Sequence, residues 1–119
     1  MSSLFKRVKP LKRFRITDWS MAKILRIPEG QIVKVRCWAY IVFVHRKDRG
    51  GQFISYRALE LWKKAIAHQI QKSSNLEELQ QVGIAIKRDV QKYGKQYRQE
   101  AIEFLRQRWT IRREELLPT

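Results

Sequence analysis

One cysteine, three prolines and five glycines in 119 residues put several architectures out of reach. With Cys37 alone no intramolecular disulfide can form. The two histidines, His45 and His68, have no Cys or acidic partners at ligand spacing, so no metal centre is expected. So few glycines offer no phosphate-cradling loop, and no serine sits in a nucleophile-elbow motif. Acids are scarce too, 11 Asp plus Glu, and those such as Glu60, Glu100 and Glu103 stand beside basic residues on helical stretches, the ordinary solvated pattern. No enzyme activity and no cofactor are therefore expected. Long apolar runs are also missing: the longest, Trp38–Val44, spans seven residues, where a membrane helix needs about 20. The start, Met1–Arg15, has the charges of a signal-peptide n-region but no apolar segment after it, so no targeting sequence is expected. A lone cysteine fits a reducing, cytoplasmic compartment, with Cys37 acting as a small buried hydrophobe.

What the chain has is positive charge. Its 26 Lys plus Arg give a formal net charge of +15, which favours a polyanionic partner and speeds encounter with it. Residues 1–16 carry six cations, Lys6, Arg7, Lys9, Lys12, Arg13 and Arg15, and no acid. We read residues 1–10 as a basic flexible arm and 11–119 as a single α+β domain, with a short amphipathic strand over Leu11–Thr17.

The most informative stretch is Ile32–Val44. Read as one strand, it splits by parity into two faces. Val33, Val35, Cys37, Ala39, Ile41 and Phe43 form a wholly apolar side, whereas Ile32, Lys34, Arg36, Trp38, Tyr40, Val42 and Val44 mix cations with rings. Cations attract phosphates and aromatic faces stack on bases, so the second face suits nucleic acid, a single strand above all. Beyond this strand, which extends over Gln31–His45, the polar stretch Arg46–Gly51 makes a turn with a basic tip (Arg46, Lys47, Arg49), and Gln52–Tyr56 returns as a shorter strand.

Helical spacing governs the rest. Thr17 or Asp18 caps a short helix through Leu25, stopped by Pro28 and Gly30. Leu59, Trp62, Ile66 and Ile70 define a helix from Tyr56 to about Gln71. A capping box at Ser74-Asn75-Leu76-Glu77 opens a second, striped by Leu79, Val82, Ile86, Val90 and Tyr93 and ended by Gly94. A third begins near Gln96, presents Tyr97, Ala101, Phe104, Leu105 and Trp109, and ends near Arg112-Arg113. The expected fold is α+β: a β-hairpin or small three-stranded antiparallel sheet packed against about three C-terminal helices.

Two local resemblances bear on function. Met21–Gly30, with its Ala-x-Ile-Leu helix and Ile-Pro-Glu-Gly turn, resembles the helix-turn-helix of sigma-factor region 4. That resemblance implies a recognition helix over Gln31–Ala39 with Gln31, Lys34 and Arg36 near the major groove; the β-branched content of the same residues reads as a strand. His45–Phe53 is similar to the stretch around a catalytic Asp in integrase-type transposases. Their chemistry needs three carboxylates on two metals, and no acid stands at that family's distance downstream of Asp48.

The expected function is a non-catalytic nucleic-acid-binding module. Lys34, Arg36, Trp38 and Tyr40 would form the face, Arg46, Lys47 and Arg49 the tip, and Lys9, Lys12, Arg13 and Arg15 the arm. The partner would be DNA or RNA. A basic interaction or assembly subunit that docks an acidic protein surface in a larger complex is the first alternative, and a helix-turn-helix DNA-binding regulator the second.

Overall fold

A buried arginine in the turn between sheet and helices organises the architecture, which a computed structural model describes for residues 3–118. Among these residues run helices α1 (Ser3–Val8), α2 (Pro10–Arg13) and α3 (Asp18–Leu25), then strands β1 (Ile32–Cys37), β2 (Ile41–Arg46) and β3 (Gly50–Ser55), and finally helices α4 (Glu60–Lys72), α5 (Leu76–Tyr93) and α6 (Gln99–Leu116). The strands form an antiparallel sheet in the order β1-β2-β3. The fold is thus α+β with three C-terminal helices. No helix among the described residues is long and apolar enough to cross a membrane.

Local chemistry accounts for the boundaries. Thr17 accepts from the Ser20 N–H while Ser20 Oγ accepts from the Thr17 N–H, a reciprocal cap that starts α3. Arg26, left-handed at φ 58°, ends it by donating its N–H back to Ala22 and Lys23. The capping box of α5 lies one residue later than expected: Asn75 Oδ1 accepts from the Glu78 N–H, and Glu78 reaches back to the N–H and hydroxyl of Ser74. Those Ser74 bonds hold the Glu78 carboxyl below its ordinary range. At the end of α4, Arg112 of α6 donates from Nε and Nη2 to the Ser73 carbonyl, satisfying a helix end and extending α6 beyond the Arg112-Arg113 pair.

One apolar core serves all layers. Leu4, Phe5 and Val8 of α1, Met21 of α3, Val42 and Val44 of β2, Trp62, Ile66 and Ile70 of α4, Leu79 and Val82 of α5 and Leu105 of α6 are all buried. The stretch expected as a basic arm is therefore not one over its described part. Leu4, Phe5 and Val8 recur at helical spacing, and burying each is worth about 1.5–3 kcal/mol, so the segment folds onto α4 and α5. Met1 and Ser2 lie outside the described residues. The strand expected over Leu11–Thr17 is replaced by α2 and an extended stretch in which buried Phe14 meets Tyr56, the ring centroids 5.8 Å apart.

Inside this core lies a polar node. Arg57, in the turn Tyr56–Ala58 between β3 and α4, donates from Nε and Nη2 to the two oxygens of Asp89 on α5, each at 2.7 Å. Tyr97 donates its hydroxyl to Asp89 Oδ2 and accepts from Trp62 Nε1 at 3.1 Å. Burial, and then the bond to Asp89, pushes the Tyr97 hydroxyl well above its ordinary pKa. Arg57 Nη1 and Ser55 Oγ both reach Gln96 Oε1, and the Arg57 guanidinium lies 3.8 Å from the Tyr93 ring centre and 4.5 Å from that of Phe5.

Two measurements test this packing. Arg57→Met or Asp89→Leu alone should each cost about 3–5 kcal/mol, because each strands a buried charge. The double variant should cost less than the sum, with a coupling above about 1 kcal/mol in urea unfolding; additive losses would mean the two residues act independently. At Gly83 an added Cβ would lie 2.7 Å from Trp109 Nε1, an atom held by the Leu79 carbonyl. Alanine there gains about 1 kcal/mol of helix propensity but overpacks, at about 1–3 kcal/mol, and strains a hydrogen bond worth about 1 kcal/mol. Gly83→Ala should thus cost about 1–3 kcal/mol of stability, seen as a lowered thermal midpoint, and a raised midpoint would refute the fixed Trp109 wall.

Candidate nucleic-acid interface

The long strand read from sequence is two strands. Residues 38–40 turn the chain between β1 and β2: the Trp38 N–H donates to the Ile41 carbonyl at 2.9 Å, and the buried Tyr56 hydroxyl donates to the Trp38 carbonyl at 2.5 Å. An irregularity between Ile32 and Lys34 breaks the parity a second time. Half of the expected face assignments change as a result. Ile32, Val42 and Val44, expected on the ligand face, are buried, and Val33, expected inside, is 48% exposed. The helix-turn-helix reading loses its recognition helix, since Gln31–Ala39 is β1 with its flanking turns.

Register defines the faces, because directly paired residues share one. Val35↔Val44, Cys37↔Val42 and Val42↔Ile54 line the covered side. There the Cys37 thiol, half-buried, is pushed above its ordinary pKa by desolvation. Lys34↔His45, Arg36↔Phe43, Phe43↔Phe53 and His45↔Gly51 line the outward side. Trp38 folds back from the turn onto this outward side, its ring parallel to Phe43 within 10° with centroids 5.9 Å apart and 5.7 Å from Phe53. Phe43 and Phe53 close the triangle at 5.4 Å. The Phe43 ring packs over Gly51, which leaves room for it: a Cβ there would meet the ring at 2.9 Å. Trp38 and Phe53 remain 45% and 58% exposed. The result is an aromatic platform at one end of the sheet, with Lys34 and Arg36 beside it on the edge strand, and none of these face residues is acidic.

The other expected site residues are distributed as follows. Lys47 and Arg49 are exposed in the β2–β3 turn, which Gly50 completes at φ 75°, a backbone that side chains disfavour. Arg46 does not join them. It points to the covered side and is buried, donating from Nε to Asp48 Oδ1 at 2.9 Å and from Nη2 to Oδ2 at 2.7 Å, with Nη1 on Gln52. That guanidinium holds the Asp48 carboxyl below the usual carboxylate range, and the hydrogen bond to Asp48 in turn raises the pKa of Arg46. Asp48 is thereby committed as a structural acceptor. Tyr40, although half exposed, packs in a T-shaped pair with buried Phe5, ring centroids 5.5 Å apart, rather than with the platform rings. Lys9, Lys12, Arg13 and Arg15 are exposed, but their segment leads into Phe14 against Tyr56 on the covered side, so the platform does not draw on them.

Two platform residues, Phe43 and Phe53, escaped the sequence reading. A usable signal existed: Gln31–His45 as one strand would be 15 residues, longer than the usual 3–10, and so in need of a turn. Once it is broken near Ala39, Phe43 changes sides and meets Trp38. Among the described residues no three His, Cys, Asp or Glu side chains gather as a metal site requires. Comparison with protein-family models, curated proteins and solved structures finds no match to this chain.

Proposed function

We propose that this chain is a non-catalytic nucleic-acid-binding module that engages its partner through the outward face of the sheet, in the cytoplasm. One observation carries the reading: three aromatic rings, two of them about half exposed, cluster on a sheet face whose remaining side chains include Lys34 and Arg36 and no carboxylate. An exposed aromatic cluster costs solvation and gives the fold little in return, whereas it offers planar surfaces on which bases stack at about 1–3 kcal/mol each. Paired bases present only their edges to a protein surface, so the platform favours unpaired ones. Lys34 and Arg36 along β1, with Lys47 and Arg49 at the far end of β2, supply phosphate contacts along roughly 17 Å of strand.

With four available cations the log–log salt slope on a single strand should be near −3. Fluorescence anisotropy with labelled single-stranded DNA and RNA at several salt concentrations reads it. The Trp38→Ala, Phe53→Ala double variant should bind at least tenfold more weakly with the slope unchanged, while Lys34→Gln, Arg36→Gln should flatten the slope by about 1.4. A salt-insensitive isotherm, or wild-type affinity in the aromatic variant, would sink the proposal.

A further inference from the structure

A second acid-free surface lies on the helices. α5 and α6, joined by the short turn Gly94–Gln96, run antiparallel and leave a groove of ≈ 550 Å³ between them. Its floor is apolar, built by Val90 on one side and Leu105 and Trp109 on the other. Trp109 is a fixed wall, since its Nε1 is held by the Leu79 carbonyl at 3.0 Å and its ring rests against Gly83. Ile84 stands about a third exposed at the edge. Each helix contributes one cation to the lips, Lys87 from α5 and Arg106 from α6, and none of the described lining residues is acidic.

From this we infer that the groove docks an amphipathic helix of an acidic partner protein. Length supports it: the lining runs from Gln80 to Gln91 along α5, about 16 Å at 1.5 Å per residue, or three helical turns. Two helices flanking an apolar trough form the ordinary seat for a third, which enters with apolar residues at i, i+3 or i+4, and i+7. Charge then selects the occupant. A cation on each lip calls for acids on both sides of that apolar stripe, and a partner bearing them is steered by the chain's +15. A second copy of this chain fits poorly, because it would bring another +15 and the same two lip cations. This inference is independent of the sheet-face reading.

The test uses the ¹⁵N-labelled full chain and a synthetic 15-residue helical peptide with Leu at i, i+3 and i+7 flanked by Glu. A scrambled peptide of the same composition and laurate are the comparison probes. The patterned peptide should shift the Gly83 amide and the Trp109 indole N–H, and the scrambled one should bind at least tenfold more weakly. Lys87→Glu with Arg106→Glu should weaken the patterned peptide at least tenfold. Should that pair disturb folding, Ile84→Glu, at a partly exposed position, should have the same effect. Equal binding of the scrambled peptide, shifts confined to Lys34 and Phe53, or no binding at all would overturn the inference. So would laurate filling a groove that the peptide leaves empty, or sedimentation showing that the chain buries this groove by self-association.

Discussion

A carboxylate with no solvent access is costly in an apolar core unless a cation stands against it, and at Asp89 Arg57 supplies that cation. Both Asp89 oxygens are bound by the same guanidinium, whose remaining reach is taken by Gln96 and whose faces are covered by Tyr93 and Phe5. The planar fork admits one orientation, which a lysine would not impose. Since Arg57 sits where β3 hands over to α4, and Asp89 sits deep in α5, the pair fixes the hairpin sheet relative to the helices. α1 is tied in through Phe5 and the turn before α6 through Gln96 and Tyr97. A mispaired node would leave polar groups dry on four elements at once, and that is what makes a single arrangement preferable to its neighbours.

The aromatic platform inherits its geometry from this node. Tyr56 precedes Arg57 and is fully buried, and its hydroxyl holds the Trp38 carbonyl in the turn between β1 and β2. Trp38-Ala39-Tyr40 contains none of the residues that favour tight turns, so that turn is stabilised by tertiary contact rather than by its own sequence. Trp38 is consequently held parallel to Phe43 before any ligand arrives. Rings already ordered lose little conformational freedom on binding, so more of each stacking contact survives as affinity.

The same dependence explains which parts of the molecule were legible in the sequence. Helices α3 to α5 were, because their caps and apolar stripes are local: Thr17 opens α3, Trp62 to Ile70 stripe α4, and the cap of α5, read at Ser74, stands one residue on at Asn75. The second hairpin turn was legible for a similar reason, its glycines marking it. The first was not, since the bond that holds it spans 18 residues, and missing it exchanged Phe43 for Val42 on the outward face. Arg46 illustrates a different blindness. Its position among Lys47 and Arg49 suggests a phosphate contact, but Asp48 two residues on satisfies it internally, and composition does not reveal which cations are already used. Charge in the first 16 residues concealed the apolar spacing of Leu4, Phe5 and Val8, which decides the fate of that segment.

Net charge alone does not distinguish one polyanion from another, but the shapes left acid-free do. Arg46, Arg57 and Arg112 are spent on Asp48, Asp89 and the Ser73 carbonyl, so the cations still facing solvent give the surface its character. On the sheet they flank the cluster of rings on which the proposed function would stack bases. Between α5 and α6 they flank an apolar trough, the shape on which the inferred docking of a partner helix rests. A stacked base finds no platform in the trough, and a helix ridge finds no groove on the sheet. Both surfaces sit in the same long-range field, so on either proposal salt would weaken encounter alike. On the two proposals, the short-range chemistry at Trp38 and Phe53 on one side, and at Trp109 and Ile84 on the other, would assign each anion to its own face.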